Sequence, residues 1–231
     1  MKKLLITSLS INIILICAII FVAFKGNDYI KTVVKDYVAN HYQQKASMFE
    51  EMENKSNPIV FLGDSIIEGA NWNELFNNPN IVNRGISGDN TEGVLNRIEE
   101  IIRLQPSKLF IAIGTNDISQ GVATEQILNN YRAIIETLQE KSPQTKIFVH
   151  SLLPVSLPSN SIYAHSNKGI LQVNQELVKL CAEKGIEYLN IHPYFSDKEG
   201  NLKSEFTNDG LHLLGKGYLV WKERIQEYMV N

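Results

Sequence analysis

Ile59-Val60-Phe61-Leu62-Gly63-Asp64-Ser65 is the stretch on which the fold turns. Four consecutive apolar residues suit a short strand buried on both faces, which needs no polar alternation. Gly63 then permits a sharp turn, and Ser65 opens the next helical stretch. The same switch of period recurs toward the C-terminus. Ile81-Val82 reads as a second strand, and residues 91–104 as a helix with Val94, Leu95, Ile98, Ile101 and Ile102 on one face and Pro106 as its stop. Residues 109–113 read as a third strand. Residues 124–141 read as a helix capped by Thr124, with Ile127, Leu128, Tyr131, Ile134, Ile135 and Leu138 as its buried stripe. Ile147-Phe148-Val149 is a strand, 169–184 a helix, 186–191 a strand and 217–229 a closing helix. Short strands joined by helices imply right-handed crossovers, hence an α/β fold with a parallel sheet and helices on both faces. In such sheets functional groups gather beyond the carboxyl ends of the strands.

Reactive side chains do follow the strands. Gly63-Asp64-Ser65 follows the first, placing a hydroxyl and its own N–H at a turn. Asn83-Arg84-Gly85-Ile86-Ser87-Gly88 follows the second, a glycine-rich loop able to present a bare N–H. Gly114-Thr115-Asn116-Asp117 follows the third and supplies a side-chain amide, and Asp209-Gly210-Leu211-His212 precedes the last helix. Asp64 and Asp117 read as turn-bracing or capping residues rather than catalysts. His150 and His192, at strand ends, read as buried structural residues, while His41 and His165 fall outside the core. None has the spacing or acidic companions of a zinc site, and no metal is expected. Cys17 and Cys181 are too few and too far apart for a disulfide frame, and Cys181 sits on a helix as a small hydrophobe.

Taken together, these blocks resemble the SGNH (GDSL) hydrolases. Phe61-Leu62-Gly63-Asp64-Ser65-Ile66-Ile67-Glu68-Gly69, Asn83-Arg84-Gly85-Ile86-Ser87-Gly88-Asp89, Gly114-x-Asn116-Asp117 and Asp209-Gly210-Leu211-His212-Leu213 are similar to the platelet-activating-factor-acetylhydrolase-like branch. The resemblance covers residues 58–229. It implies a flavodoxin-like three-layer α/β/α sandwich and ester hydrolysis without metal or cofactor. It also implies Ser65 as nucleophile, His212 as its base and Asp209 as the carboxylate that orients the imidazole. Ser65 N–H, Gly88 N–H and the Asn116 amide are then the oxyanion hole. Ile67 stands where the family commonly has threonine, at a position without a catalytic role.

Outside that span the chain changes character. Lys2 and Lys3 precede a mostly apolar run over residues 4–24, which as a helix spans about 31 Å, close to the roughly 30 Å hydrocarbon core of a bilayer. The expected arrangement is a retained signal-anchor over 1–25, a helical or flexible stalk over 26–57, and a catalytic domain over 58–231 on the extracytoplasmic side of the cell membrane. In the stalk Ile30, Val34 and Tyr37 fall at helical spacing, followed by Met48 and Met52. The net charge is −3 and no basic block occurs, which argues against a nucleic-acid partner. The expected activity is removal of a short acyl group, acetyl above all, from a lipid or carbohydrate ester at the envelope. A lysophospholipase or lipase-type acylhydrolase and an O-acyltransferase of envelope glycans would use the same triad. A binding module with a decayed site is disfavoured because the full catalytic set is present.

Overall fold

Strands β1 (Ile59–Gly63), β2 (Ile81–Gly85), β3 (Lys108–Ala112), β4 (Lys146–His150) and β5 (Glu187–Leu189) form one parallel sheet in the order β2-β1-β3-β4-β5. The computed structural model describes residues 25–26, 29–30, 32–53, 55–157, 161, 163 and 166–229. The helices are α1 (Ser65–Glu68), α2 (Trp72–Leu75), α3 (Thr91–Asn96), α4 (Ile98–Leu104), α5 (Thr115–Ser119), α6 (Thr124–Lys141), α7 (Ser166–Lys184), α8 (His192–Phe195) and α9 (Gly215–Ile225).

The apolar runs of the strands are explained by cores on both faces. Val60, Leu62, Leu109, Ile111, Ile147 and Val149 pack with Val94, Ile101, Ile134, Ile135 and Leu177 of the crossover helices. The alternate residues Ile59, Phe61, Phe110 and Phe148 pack with Trp72, Phe195, Tyr218 and Trp221. On that second face the aromatic rings stack from strand to strand. Ring centroids lie 4.1 Å apart for Phe61 and Trp72, 4.9 Å for Phe61 and Phe110, and 4.7 Å for Phe110 and Phe148.

Several boundaries differ from the sequence reading. The helix expected over 91–104 is two helices meeting at Arg97, whose φ of −111° and ψ of 16° interrupt the spiral. Thr124 is the first helical residue of α6 rather than its cap; Ala123 holds that place with no side-chain bond. β2 continues through Asn83 and Arg84 to Gly85, whereas β5 is shorter than expected. The closing helix begins at Gly215 and tightens into a 3-10 turn over Gln226–Met229.

The chain divides into two units, residues 1–43 and 44–231. In the first, residues 32–43 are helical, and Ile30, Val34 and Tyr37 are exposed. The expected membrane segment, residues 4–24, lies outside the described residues; among the described residues no helix is long and apolar enough to cross a membrane. The second unit starts earlier than the Pro58 expected from the sequence. Residues 44–51 are helical and belong to it, with Phe49 buried.

Candidate active site

Register sets the site. Gly63 at the end of β1 pairs with Gly85 of β2 on one side and Ala112 of β3 on the other, so three loops leave the sheet at one level. Two residues past Gly63 is Ser65, three past Gly85 is Gly88, and four past Ala112 is Asn116.

The first loop turns immediately into α1. Asp64 is its N-cap, its Oδ1 accepting from the Ile66 N–H at 3.0 Å, as expected of a capping aspartate. Ser65 is thereby held at the first helical position, half-buried, with its hydroxyl on the rim. The second loop is a tight turn in which the Asp89 N–H donates to the Ile86 carbonyl at 3.1 Å. Gly88, at φ +82°, occupies the third position, a left-handed conformation that suits a type II turn and disfavours any side chain. Among the described residues neither the Ser65 N–H nor the Gly88 N–H is spent on a hydrogen bond.

Asn116 lies in α5 and is buried. Its Nδ2 donates to the Asp89 carbonyl at 2.7 Å, which can only accept, and its Oδ1 accepts from the Tyr163 hydroxyl at 2.7 Å. These two contacts fix which way the amide faces and leave one N–H on Nδ2 uncommitted to them. Asp117 braces rather than reacts: its carboxylate accepts from the Thr91 N–H and hydroxyl, joining α5 to the start of α3. Tyr163 gave no sequence signal, because the stretch between β4 and α7 shows neither a helical nor a strand period.

The fourth block arrives from the C-terminal side. Residues 207–212 form a local turn in which Asp209 Oδ1 accepts from the N–H groups of Leu211 at 2.9 Å and His212 at 2.8 Å. Asp209 Oδ2 lies 2.6 Å from His212 Nδ1, and His212 Nε2 lies 2.9 Å from Ser65 Oγ. Burial alone would raise the Asp209 carboxyl, but hydrogen bonds from the His212 ring and from those two N–H groups outweigh it and bring it down to about 2. An ionised carboxylate only accepts, so Nδ1 carries the hydrogen and Nε2 is free to accept from the serine. The structure thus brings Ser65, His212 and Asp209 into one hydrogen-bonded chain, with Gly88 and Asn116 on the adjoining loops.

His150 and His192 are held by structural contacts. His150 is buried, accepts from Trp221 Nε1 at 2.9 Å through Nδ1, and is held neutral by burial, down to about 3. His192 donates from Nδ1 to the Leu152 carbonyl at 2.8 Å. Burial pushes the Cys181 thiol up to about 12. Among the described residues no group of His, Cys, Asp or Glu is arranged to hold a metal ion.

Comparison with known proteins gives the family of the chain. The model of the GDSL-like lipase/acylhydrolase family matches residues 61–220. Human platelet-activating factor acetylhydrolase IB subunit alpha1 is 31% identical over 176 residues, 73% of this chain and 73% of that protein. A solved Streptococcus pneumonia structure named for platelet activating factor is 30% identical, covers 86% of this chain and 97% of its own, and superposes with a TM-score of 0.80. An acetylxylan esterase from Geobacillus stearothermophilus, 15% identical, shares the fold over 78% of this chain and 97% of its own, with a TM-score of 0.63.

Proposed function

Because the chain belongs to the GDSL-like lipase/acylhydrolase family, we propose that it is a serine esterase that removes an acetyl or similarly short acyl group from a lipid or carbohydrate ester at the cell envelope. The observation that carries this reading is the 2.9 Å contact between Ser65 Oγ and His212 Nε2, continued to Asp209 at 2.6 Å. Ser65 Oγ attacks the ester carbonyl carbon while its proton passes to Nε2. The resulting oxyanion is met by the N–H groups of Ser65 and Gly88 and by the Asn116 amide. Collapse breaks the bond to the alcohol, which leaves with the proton from Nε2. Water then repeats the sequence on the acyl-serine and releases the acid. Asp209 holds the imidazole in the required tautomer and stabilises its cation.

The short acyl group is supported by the acetylhydrolase relative, and the envelope by the apolar segment 4–24. A chain-length series of p-nitrophenyl esters, with stoichiometric organophosphate labelling, tests both nucleophile and acyl preference. Turnover is expected to peak at C2–C4, with labelling lost in Ser65→Ala. Labelling that survives Ser65→Ala overturns the nucleophile, and a peak beyond C8 redirects the substrate to long-chain lipids. Acceptor-dependent product without free acetate would make the enzyme a transferase. Release of the full chain from membranes by carbonate would refute anchoring.

A further inference from the structure

The oxyanion donors Ser65 N–H and Gly88 N–H come from different loops, so something must fix the distance between them. The glycine loop is held on one side by the Ile86 N–H, which donates to the Gly63 carbonyl at 3.1 Å. On the other, Asp89 is bound by Arg97 and by Asn116. Ser87 and Gly88 span the gap. Ser87 is gripped by Glu68: Oε2 accepts from its N–H at 2.7 Å and also from its hydroxyl. Glu68 ends α1, the single helical turn that Ser65 begins. One rigid turn therefore carries the nucleophile at its first residue and the grip on the neighbouring loop at its last. The fit is close, since a Cβ on Gly85 would stand 2.2 Å from the Glu68 nitrogen. The other carboxylate oxygen, Oε1, pairs with Lys45 Nζ at 2.9 Å, so Glu68 faces Ser87 with a fixed rotamer.

We propose that Glu68 is a positioning residue of the hydrolytic reaction, fixing Ser87, and through it the Gly88 N–H, relative to Ser65. This rests on the esterase reading above. Glu68 touches neither the proton-transfer chain nor the oxyanion; it sets where a donor stands. The donor's hydrogen bond strengthens as charge develops on the substrate oxygen, so misplacement lowers kcat and leaves KM nearly unchanged.

The test is steady-state hydrolysis of p-nitrophenyl acetate by the full chain and its variants, alongside organophosphate labelling. Glu68→Ala is expected to lower kcat about 10- to 100-fold, in line with the roughly 10²-fold cost of a 1 Å misplacement. KM should stay within about twofold and labelling should still reach one per chain, because Ser65 and His212 are untouched. Glu68→Gln keeps an oxygen for Ser87 and should return kcat to within about threefold of the parent. Unchanged kcat in Glu68→Ala overturns the proposal, as does a rise in KM alone or a glutamine variant as poor as alanine. If the alanine variant does not fold, Ser87→Ala carries the same test by removing only the hydroxyl tie: kcat lower at constant KM supports positioning, and an unchanged kcat refutes it. A parent chain that neither turns over the ester nor takes the label would instead remove the esterase reading.

Discussion

Two carboxyls of the site, Asp64 and Asp209, are shifted in opposite directions from the ordinary carboxyl value because their surroundings differ. Asp209 is half-exposed and collects hydrogen bonds, so it remains ionised down to about pH 2. Its contribution to stability is present above the ordinary carboxyl range near 4 and is lost only as pH falls through about 2. Asp64 is buried, and burial is the main reason its carboxyl is pushed up to about 7. The Ile66 N–H and His212 pull it down, while Asp89 and Asp117 push it further up. A raised carboxyl means that the fold favours the protonated form. The stability this contributes is complete below about 4 and is lost as pH rises through about 7. Asp64→Asn mimics the protonated acid in size and charge and keeps an oxygen to cap Ile66. Its melting temperature relative to the parent should therefore climb from pH 4 to pH 8. A difference independent of pH would show that Asp64 does not titrate in this range. Only half of this residue was legible in the sequence: the Gly-Asp-Ser order identifies a capping aspartate, but the depth of its burial depends on what the other loops place over it.

At the scale of elements, the break between α3 and α4 shows where periodicity stops being informative. The apolar stripe Val94, Leu95, Ile98, Ile101, Ile102 runs through the break without a missed turn, so pattern alone predicts one helix. The interruption comes from Arg97, whose side chain turns inward. Its Nε and Nη2 donate to Asp89 Oδ2 at 2.9 and 2.8 Å, and Nη2 also reaches the carbonyls of Arg84 at 2.9 Å and Gly63 at 3.3 Å. One guanidinium thus ties together the ends of β1 and β2 and the glycine loop. Polar Asn83 likewise conceals the last part of β2, yet it earns its place there by tertiary bonds: its Nδ2 donates to the carbonyls of Ile67, Glu68 and Ala70. Such contacts join residues distant in sequence and leave no local trace. The carboxyl of Asp89 shows the strain of burial, raised to about 6 although Arg97 lowers it. Removing one partner of a buried pair strands the other, so Arg97→Met should cost about 3–5 kcal/mol in urea unfolding. Adding Asp89→Asn should recover part of that loss. A single-variant cost below about 1 kcal/mol would mean that water already screens the pair.

For the whole molecule, the layered sheet was legible because the inner strands β1, β3 and β4 are buried on both faces over nearly their whole length, and a doubly buried strand leaves a continuous apolar run that needs no tertiary knowledge to recognise. The N-terminal limit of the catalytic unit was not. Met48 and Met52 look like the apolar side of the 44–51 segment, yet both are exposed, and the buried residue is Phe49 between them. Phe49 is received by polar partners: the Arg84 guanidinium lies 4.5 Å from its ring centroid, and Arg103 Nη2 donates to its carbonyl at 2.9 Å. Arg84 is itself paired with Glu100 at 2.7 Å, so the ring covers a buried ion pair at the edge of the sheet. The segment is therefore part of the fold, and through Lys45 and Glu68 it touches the loop that carries Gly88. Truncating the ring should cost about 2–3 kcal/mol, toward the transfer value because the ring lies at the edge of the sheet against charged side chains, where water can refill the space. At about 2–4 °C per kcal/mol for a chain of this size, Phe49→Ala should melt roughly 5–10 °C below the parent. A chain begun at residue 57 should lose at least as much, and because it also lacks Lys45 it should hydrolyse p-nitrophenyl acetate with a lower kcat than one begun at residue 44. Equal melting temperatures and equal kcat for the two shortened chains would place the 44–51 segment outside the working unit and return its boundary to Pro58.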